Sequence, residues 1–186
     1  MNNRTRWLVV VLVLGVAGVV ALWPRDESPA PPTPSRPSQD IAALRVQAQL
    51  RPCVPGAQEG IGVTCLGDGT RTALALKGPL LINFWATWCQ PCQEELPVLD
   101  SYAKQPGAVP VVPVLVESRE ADGLELLARI GVRLPSVHDE ADELRKQVKA
   151  PKSLPATYYV SADGQVRRIT DPPVFTAPDQ VEKAVR

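Results

Sequence analysis

Cys89 and Cys92 stand two residues apart in the run Asn83-Phe84-Trp85-Ala86-Thr87-Trp88-Cys89-Gln90-Pro91-Cys92-Gln93-Glu94-Glu95-Leu96-Pro97. Thiols at this spacing serve either disulfide exchange or zinc binding. The surroundings favour exchange, because Leu80 to Trp85 reads as a buried strand and the residues after Cys89 read as a helix. A cysteine at the first turn of a helix lies beside unpaired backbone N–H groups and the positive end of the helix dipole, and both stabilise a thiolate. Cys89 is therefore the expected nucleophile. Two intervening residues bring Cys92 back within disulfide reach, so its thiol can attack a mixed disulfide on Cys89 and release the partner. Pro91 suits such a turn, since a proline there gives up an N–H that has no intrahelical acceptor.

With those residues in view, Trp88-Cys89-Gln90-Pro91-Cys92 after a Phe-Trp-Ala strand resembles the thioredoxin superfamily. The closer resemblance is to its membrane-anchored, extracytoplasmic branch, whose members include the TlpA, ResA and DsbE proteins. It covers Val63 to Arg186. The resemblance implies that Glu95, three residues past the second cysteine, sits near the redox pair and helps to move protons. An acidic residue in the first turns of a helix is also favoured by the dipole alone. Pro97 falls where the family kinks its active-site helix. Leu154-Pro155-Ala156-Thr157-Tyr158 resembles the segment that holds a cis-proline beside the cysteines, which makes Pro155 the candidate and, with Trp88, the expected client-facing surface. Where cytoplasmic thioredoxins carry a buried Asp, this chain has Asn83, which cannot relay a proton; the resemblance leaves that task to Glu95.

The scaffold that must position these groups is an α/β fold of the thioredoxin-like kind: a mixed central sheet flanked by helices, with an N-terminal hairpin. Val109 to Val116 reads as a buried strand, Asp122 to Ile130 as a helix stopped at Gly131, and Asp139 to Lys149 as another stopped before Pro151. Thr157 to Val160 and Gln165 to Ile169 read as an antiparallel hairpin, and Asp179 to Arg186 as a closing helix. Trp85 is expected in the core and Trp88 at the rim. His138, beside Asp139 and Glu140, reads as a solvated loop residue and is left out of the site.

The two other cysteines, Cys53 and Cys65, form in an oxidising compartment an expected structural disulfide, pinning the amphipathic stretch Asp40 to Leu50 onto a hairpin around Gly67-Asp68-Gly69. A second redox pair and a four-cysteine zinc site are the rivals; zinc sites usually pair two short-spaced knuckles, and this chain has one. No metal and no cofactor are expected.

Residues 7–23 are uncharged and apolar between two tryptophans, with Arg4 and Arg6 before them. As a helix they reach about 26 Å, close to the ~30 Å hydrocarbon core, so they read as a transmembrane anchor with residues 1–6 cytoplasmic and the remainder outside. A cleaved signal peptide is the rival reading. Residues 24–40 are a Pro-rich linker, and 41–186 are one domain. With 20 basic and 20 acidic residues, the chain carries no electrostatic footprint for nucleic acid.

The function expected from the residues is thiol-disulfide exchange on protein disulfides. The resemblance implies a reductant, fed by a membrane thiol carrier and serving apocytochrome c maturation. A disulfide-forming oxidase of the same fold is the first alternative, since direction depends on the potential of the pair. A metal chaperone of this fold would typically carry a Cys-x-x-x-Cys and a distant His, and a peroxiredoxin would place Thr three residues before its reactive Cys, where this chain has Ala86.

Overall fold

The computed structural model describes residues 40–53 and 60–186. Residues 1–39, which include the expected anchor and all of the expected linker but Asp40, and residues 54–59 lie outside the described residues, and no helix among those described is long and apolar enough to cross a membrane.

The scaffold for the cysteines is a seven-stranded mixed sheet. Its strands are β1 (Ile61–Cys65), β2 (Arg71–Leu74), β3 (Leu80–Trp85), β4 (Val111–Leu115), β5 (Val137–His138), β6 (Ala156–Val160) and β7 (Val166–Ile169), in the spatial order β2-β1-β5-β4-β3-β6-β7. β3 lies near the middle, parallel to β4 and antiparallel to β6. All six of its residues are buried, as are all five of β4, which is why both read as continuous apolar runs rather than alternating ones.

Among the described residues the helices are α1 (Ile41–Ala48), α2 (Gln90–Tyr102), α3 (Glu120–Ile130), α4 (Glu143–Gln147) and α5 (Pro178–Ala184). The core divides by the pleat of the sheet. Leu81, Trp85 and Leu115 on one face pack with Leu96 and Leu99 of α2, Leu124 and Leu127 of α3 and Val181 of α5. Ile82, Phe84, Val114 and Tyr158 on the other pack with Leu144 of α4. α3 comes close to β4 because residue 123 is Gly; a Cβ there would lie 2.5 Å from Leu115 Cδ2.

The first segment of the domain is held by several contacts. Asp40 caps α1, accepting from the N–H groups of Ala42 and Ala43. Arg45 donates to Glu120 of α3 across 2.6 Å. The β1–β2 turn carries Gly69 at φ 78°, and Asp68 accepts from both the N–H and the hydroxyl of Thr70. A disulfide joins Cys53 to Cys65, with Cα atoms 6.0 Å apart.

Several expectations are corrected here. His138 is not a solvated loop residue: it is only 9 % exposed and belongs to β5, paired with Thr64 of β1 and Leu115 of β4. The order read from sequence lacked this strand, and β5 has only two residues to announce it. Strand β4 spans Val111–Leu115, shorter at both ends than Val109 to Val116. The helix expected from Asp139 to Lys149 is confined to Glu143–Gln147, because the Asp139 carboxylate accepts from the N–H groups of Leu144 and Arg145 and closes the preceding residues into a turn. Helix α3 starts at Glu120, two residues earlier than read. The buried Arg145 then ties α4 to its surroundings, with an ion pair to Glu117 and a 3.0 Å bond to the carbonyl of Pro151.

Candidate active site

Strand β3 delivers the chain to the end of the sheet at Trp85, and residues 86–89 turn it into α2. Cys89 is the N-cap of α2, with extended backbone angles, and Pro91 occupies the first turn. The Cys92 N–H points at Cys89 Sγ across 3.3 Å, and the two sulfurs are joined in a disulfide with Cα atoms 5.3 Å apart. When the bond opens, the same N–H and the helix N-terminus face whatever charge resides on Cys89. Cys92 is fully buried and Cys89 nearly so, while Trp88 just before them is 59 % exposed.

The turn is fastened on both sides. Thr87 donates its N–H to Ser118 Oγ at 3.0 Å, and the Thr87 carbonyl accepts from Gln93 Nε2 at 2.8 Å. Ser118 follows β4, so the neighbouring parallel strand braces the loop that presents Trp88 and Cys89.

Leu154-Pro155 is a cis peptide at the entrance to β6. The register sets Ala156 opposite Phe84 and Thr157 opposite Asn83, which brings Pro155 to the end of the sheet where β3 turns into the cysteines. Beside it lies a cleft of about 210 Å³ lined by Ser153, Leu154, Pro155, Arg168, Ile169 and Val174. Among the described residues Gly78-Pro79 and Asp171-Pro172 are cis as well, and nothing in the sequence around them marks it.

Glu95 lies three residues past Cys92, on the same face of α2, and is 1 % exposed. Its Oε1 accepts from the Phe175 N–H at 2.8 Å and its Oε2 from Asn83 Nδ2 at 2.7 Å. Burial pushes the carboxyl up from its ordinary value to about 7, and the two hydrogen bonds, which favour the charged form, offset only part of that rise. A carboxyl that gains and loses its proton near neutrality, one helical turn from a buried thiol, can take the thiol's proton and return it.

Two of these partners were not recognised as such in the sequence. Asn83, which the sequence offers only as a group unable to relay protons, binds Glu95 directly and also donates to Thr157 Oγ1 at 2.9 Å. An amide in the middle of a wholly buried strand was the signal that could have found it. Phe175 contributes through its main chain, for which side-chain identity gives no signal.

Residues 62–169, more than half of the chain, match the family described as AhpC/TSA. The chain belongs to the AhpC/TSA family. The matched stretch runs from β1 to β7 and contains both site cysteines, Glu95 and Pro155. Within this thioredoxin-superfamily domain, curated relatives include the thiol-disulfide oxidoreductase ResA of Oceanobacillus iheyensis, 32 % identical over 93 residues, covering 48 % of this chain and 47 % of that protein. The thiol:disulfide interchange protein DsbE of Pseudomonas fluorescens biotype C is 32 % identical over 106 residues, covering 56 % and 58 %. CycY of Rhizobium leguminosarum bv. viciae, another thiol:disulfide interchange protein, is 30 % identical over 96 residues, with 51 % of each covered. The matched stretch thus spans about half the length of these relatives. Among solved structures, that of dsbF from MTB, in mixed oxidised and reduced forms, superposes with a TM-score of 0.59 at 24 % identity, covering 71 % of this chain and 97 % of that one. StoA from Bacillus subtilis superposes with a TM-score of 0.56 at 20 % identity, covering 71 % and 100 %. At these identities the structures establish the AhpC/TSA chain's fold as thioredoxin-like.

Proposed function

We propose that this protein is a thiol-disulfide oxidoreductase that reduces specific protein disulfides through Cys89 and Cys92. The observation that carries the reading is the conjunction at one end of the sheet: a Cys-x-x-Cys pair at a helix N-terminus, a cis-proline beside it and a buried carboxyl one turn behind.

In the reaction, the Cys89 thiolate attacks one sulfur of the client disulfide. The client S–S bond breaks, a mixed disulfide forms, and the departing client sulfur takes up a proton. Glu95 accepts the Cys92 thiol proton, and the resulting thiolate attacks Cys89 Sγ. The Cys89–Cys92 bond closes, the mixed disulfide breaks, and the second client sulfur leaves as a thiol. Two electrons and two protons pass to the client in all. A reductant must then reopen Cys89–Cys92, and a membrane thiol carrier is the donor proposed. Trp88 and the cleft at Pro155 form the surface against which an extended client chain lies.

The resemblance of the active-site run extends the proposal to a setting: residues 7–23 anchor the chain in the cell membrane as a single span, the domain faces outward at the end of its Pro-rich tether, and the client is the disulfide formed by the haem-binding cysteines of apocytochrome c, which is returned to the dithiol. The names of ResA, CycY and DsbE support thiol-disulfide interchange as the chemistry.

The test is the midpoint potential of Cys89/Cys92, equilibrated in dithiothreitol and glutathione buffers and read by thiol alkylation, with Cys53 and Cys65 scored separately. A value near roughly −270 mV is expected of a reductant; one near roughly −120 mV would make the protein an oxidase, and retention of exchange by Cys89→Ala would remove the mechanism altogether. Family membership also invites an assay for peroxide consumption. None dependent on Cys89 is expected, given Ala86 in place of the Thr that a peroxiredoxin carries there.

A further inference from the structure

Asn83 has a hydrogen-bonding imbalance that its surroundings make informative. Its Nδ2 donates to both Glu95 Oε2, at 2.7 Å, and Thr157 Oγ1, at 2.9 Å, while its Oδ1 is fully buried with no hydrogen-bond partner. An orphan carbonyl oxygen in a protein interior is costly, so the orientation seen persists only because the two donated bonds outweigh that cost. The bond to Oε2 is the one an ionised Glu95 requires, since a carboxylate accepts and cannot donate, and the bond to Thr157 holds the amide in that orientation.

A protonated Glu95 requires the opposite. Its Oε1 faces the Phe175 N–H at 2.8 Å, a donor, so the proton belongs on Oε2, where it points at Asn83. Facing Nδ2 there, it would set donor against donor. A half-turn of the amide about its terminal torsion replaces Nδ2 by Oδ1 with little change of shape. Oδ1 then accepts from Glu95 and from Thr157, whose hydroxyl can donate as readily as it accepts.

We propose that the Asn83 side-chain amide inverts when Glu95 changes charge, with Thr157 reversing its own hydrogen bond, so that one residue holds the carboxyl in place in both forms. The inference rests on the reading of Glu95 as the proton-transfer group. Asn83 is on this account a positioning residue: it touches neither client nor sulfur, and keeps Glu95 aimed while its proton comes and goes. An ionised Asp at this position could accept from a protonated Glu95 but could not donate to an ionised one, and a Leu could do neither.

Few other groups can drive the inversion. On α2 the neighbouring sulfurs of Cys89 and Cys92 are joined in a disulfide and do not titrate; β3 presents Asn83 and Trp85, β6 presents Thr157, and the stretch before α5 presents the Phe175 N–H. Asp179, Glu182 and Lys183 of α5 are exposed and pair outward, with Lys183 on Asp179 and Arg186 on Glu182. No charged side chain contributes to the shift of the Glu95 carboxyl.

The test is side-chain NMR on the full chain, following the Glu95 carboxyl carbon and the cross-peaks from the Asn83 amide protons to the Thr157 side chain between pH 5 and 9. The expected result is that these cross-peaks weaken severalfold as pH falls, with the midpoint of the Glu95 titration, and that in Glu95→Gln they are weak at every pH, because the Gln amide presents a donor to Asn83 permanently. Cross-peaks that stay constant while the Glu95 carbon titrates would overturn the inversion and leave the Glu95 reading standing. A Glu95 carbon that does not titrate in this range, or one titrating with cross-peaks already weak at high pH, would overturn the first reading and the second respectively. In Thr157→Ser the switch is expected to survive; its loss there, with retention in Thr157→Val, would also refute it.

Discussion

At the scale of single residues, Glu95 contributes a pH dependence of stability that reaches up to neutrality. Its carboxyl is raised from an ordinary value near 4.5 to about 7, so the folded protein binds this proton more tightly than the unfolded chain. The contribution to stability is fully present below about pH 4.5 and is lost as pH rises through 7, amounting to about 3 kcal/mol. Glu95→Gln removes the titration. The difference between wild-type and variant unfolding free energies, measured in urea from pH 4.5 to 8, is expected to shift by about that amount in favour of the variant, whereas a constant difference would show that burial does not penalise the charge. In the reduced enzyme the same variant is expected to slow Cys92-dependent release of a mixed disulfide by a factor of roughly 10²–10⁴, the usual scale for one general base. Cys89 and Cys92 themselves were legible because strand, turn and helix lie consecutively in the chain. The Asn83–Glu95 pair was not: the two residues are 12 apart, and only the docking of α2 on the sheet makes them neighbours.

At the scale of elements, close approach between segments decides which glycines are replaceable. Gly78 precedes β3, and a Cβ there would lie 2.0 Å from the carbonyl oxygen of Val160 and 2.3 Å from that of Ser161. Both obstacles are backbone at the end of β6, so nothing flexible can move aside. Gly78→Ala is expected to cost about 3 kcal/mol, read as a lower urea midpoint with an unchanged slope. Gly131, where a Cβ meets nothing within 4 Å, is the contrast: its φ of 69° alone opposes substitution, and Gly131→Asn is expected to cost well under half as much. Gly131 was legible as a helix stop, because a left-handed residue after an amphipathic run is a local event. The start of α4 was not, because Asp139 reaches forward to accept from N–H groups of its first turn and a run of Asp, Glu, Leu and Arg reads equally well as continuous helix. Strand β5 escaped for a related reason: two residues have no periodicity, and they become a strand only between β1 and β4.

At the scale of the molecule, two disulfides divide the labour. Cys89–Cys92 spans three residues at the end of the sheet, and Cys53–Cys65 spans 12 and ties the segment after α1 to β1. Loss of the second bond in Cys53→Ser/Cys65→Ser is expected to lower stability by about 2–4 kcal/mol while leaving the Cys89/Cys92 potential unchanged. A large change in that potential would instead couple the two ends of the fold. The mixed sheet itself was legible from the order of its longer strands; the packing of α1 against α3 through Arg45 and Glu120 was not, since nothing in either segment names the other.

The Phe175 N–H that holds Glu95 lies 80 residues downstream of it, on the last stretch of chain before the final helix. A ribosome that has released α2 has therefore made both cysteines and the glutamate, but not the donor that fixes one side of the carboxyl. The nascent domain can carry a reactive dithiol well before its proton acceptor is anchored, and a chain stopped short of Phe175 would keep the motif while losing the anchor. Biosynthesis thus separates in time two things that the finished fold presents together.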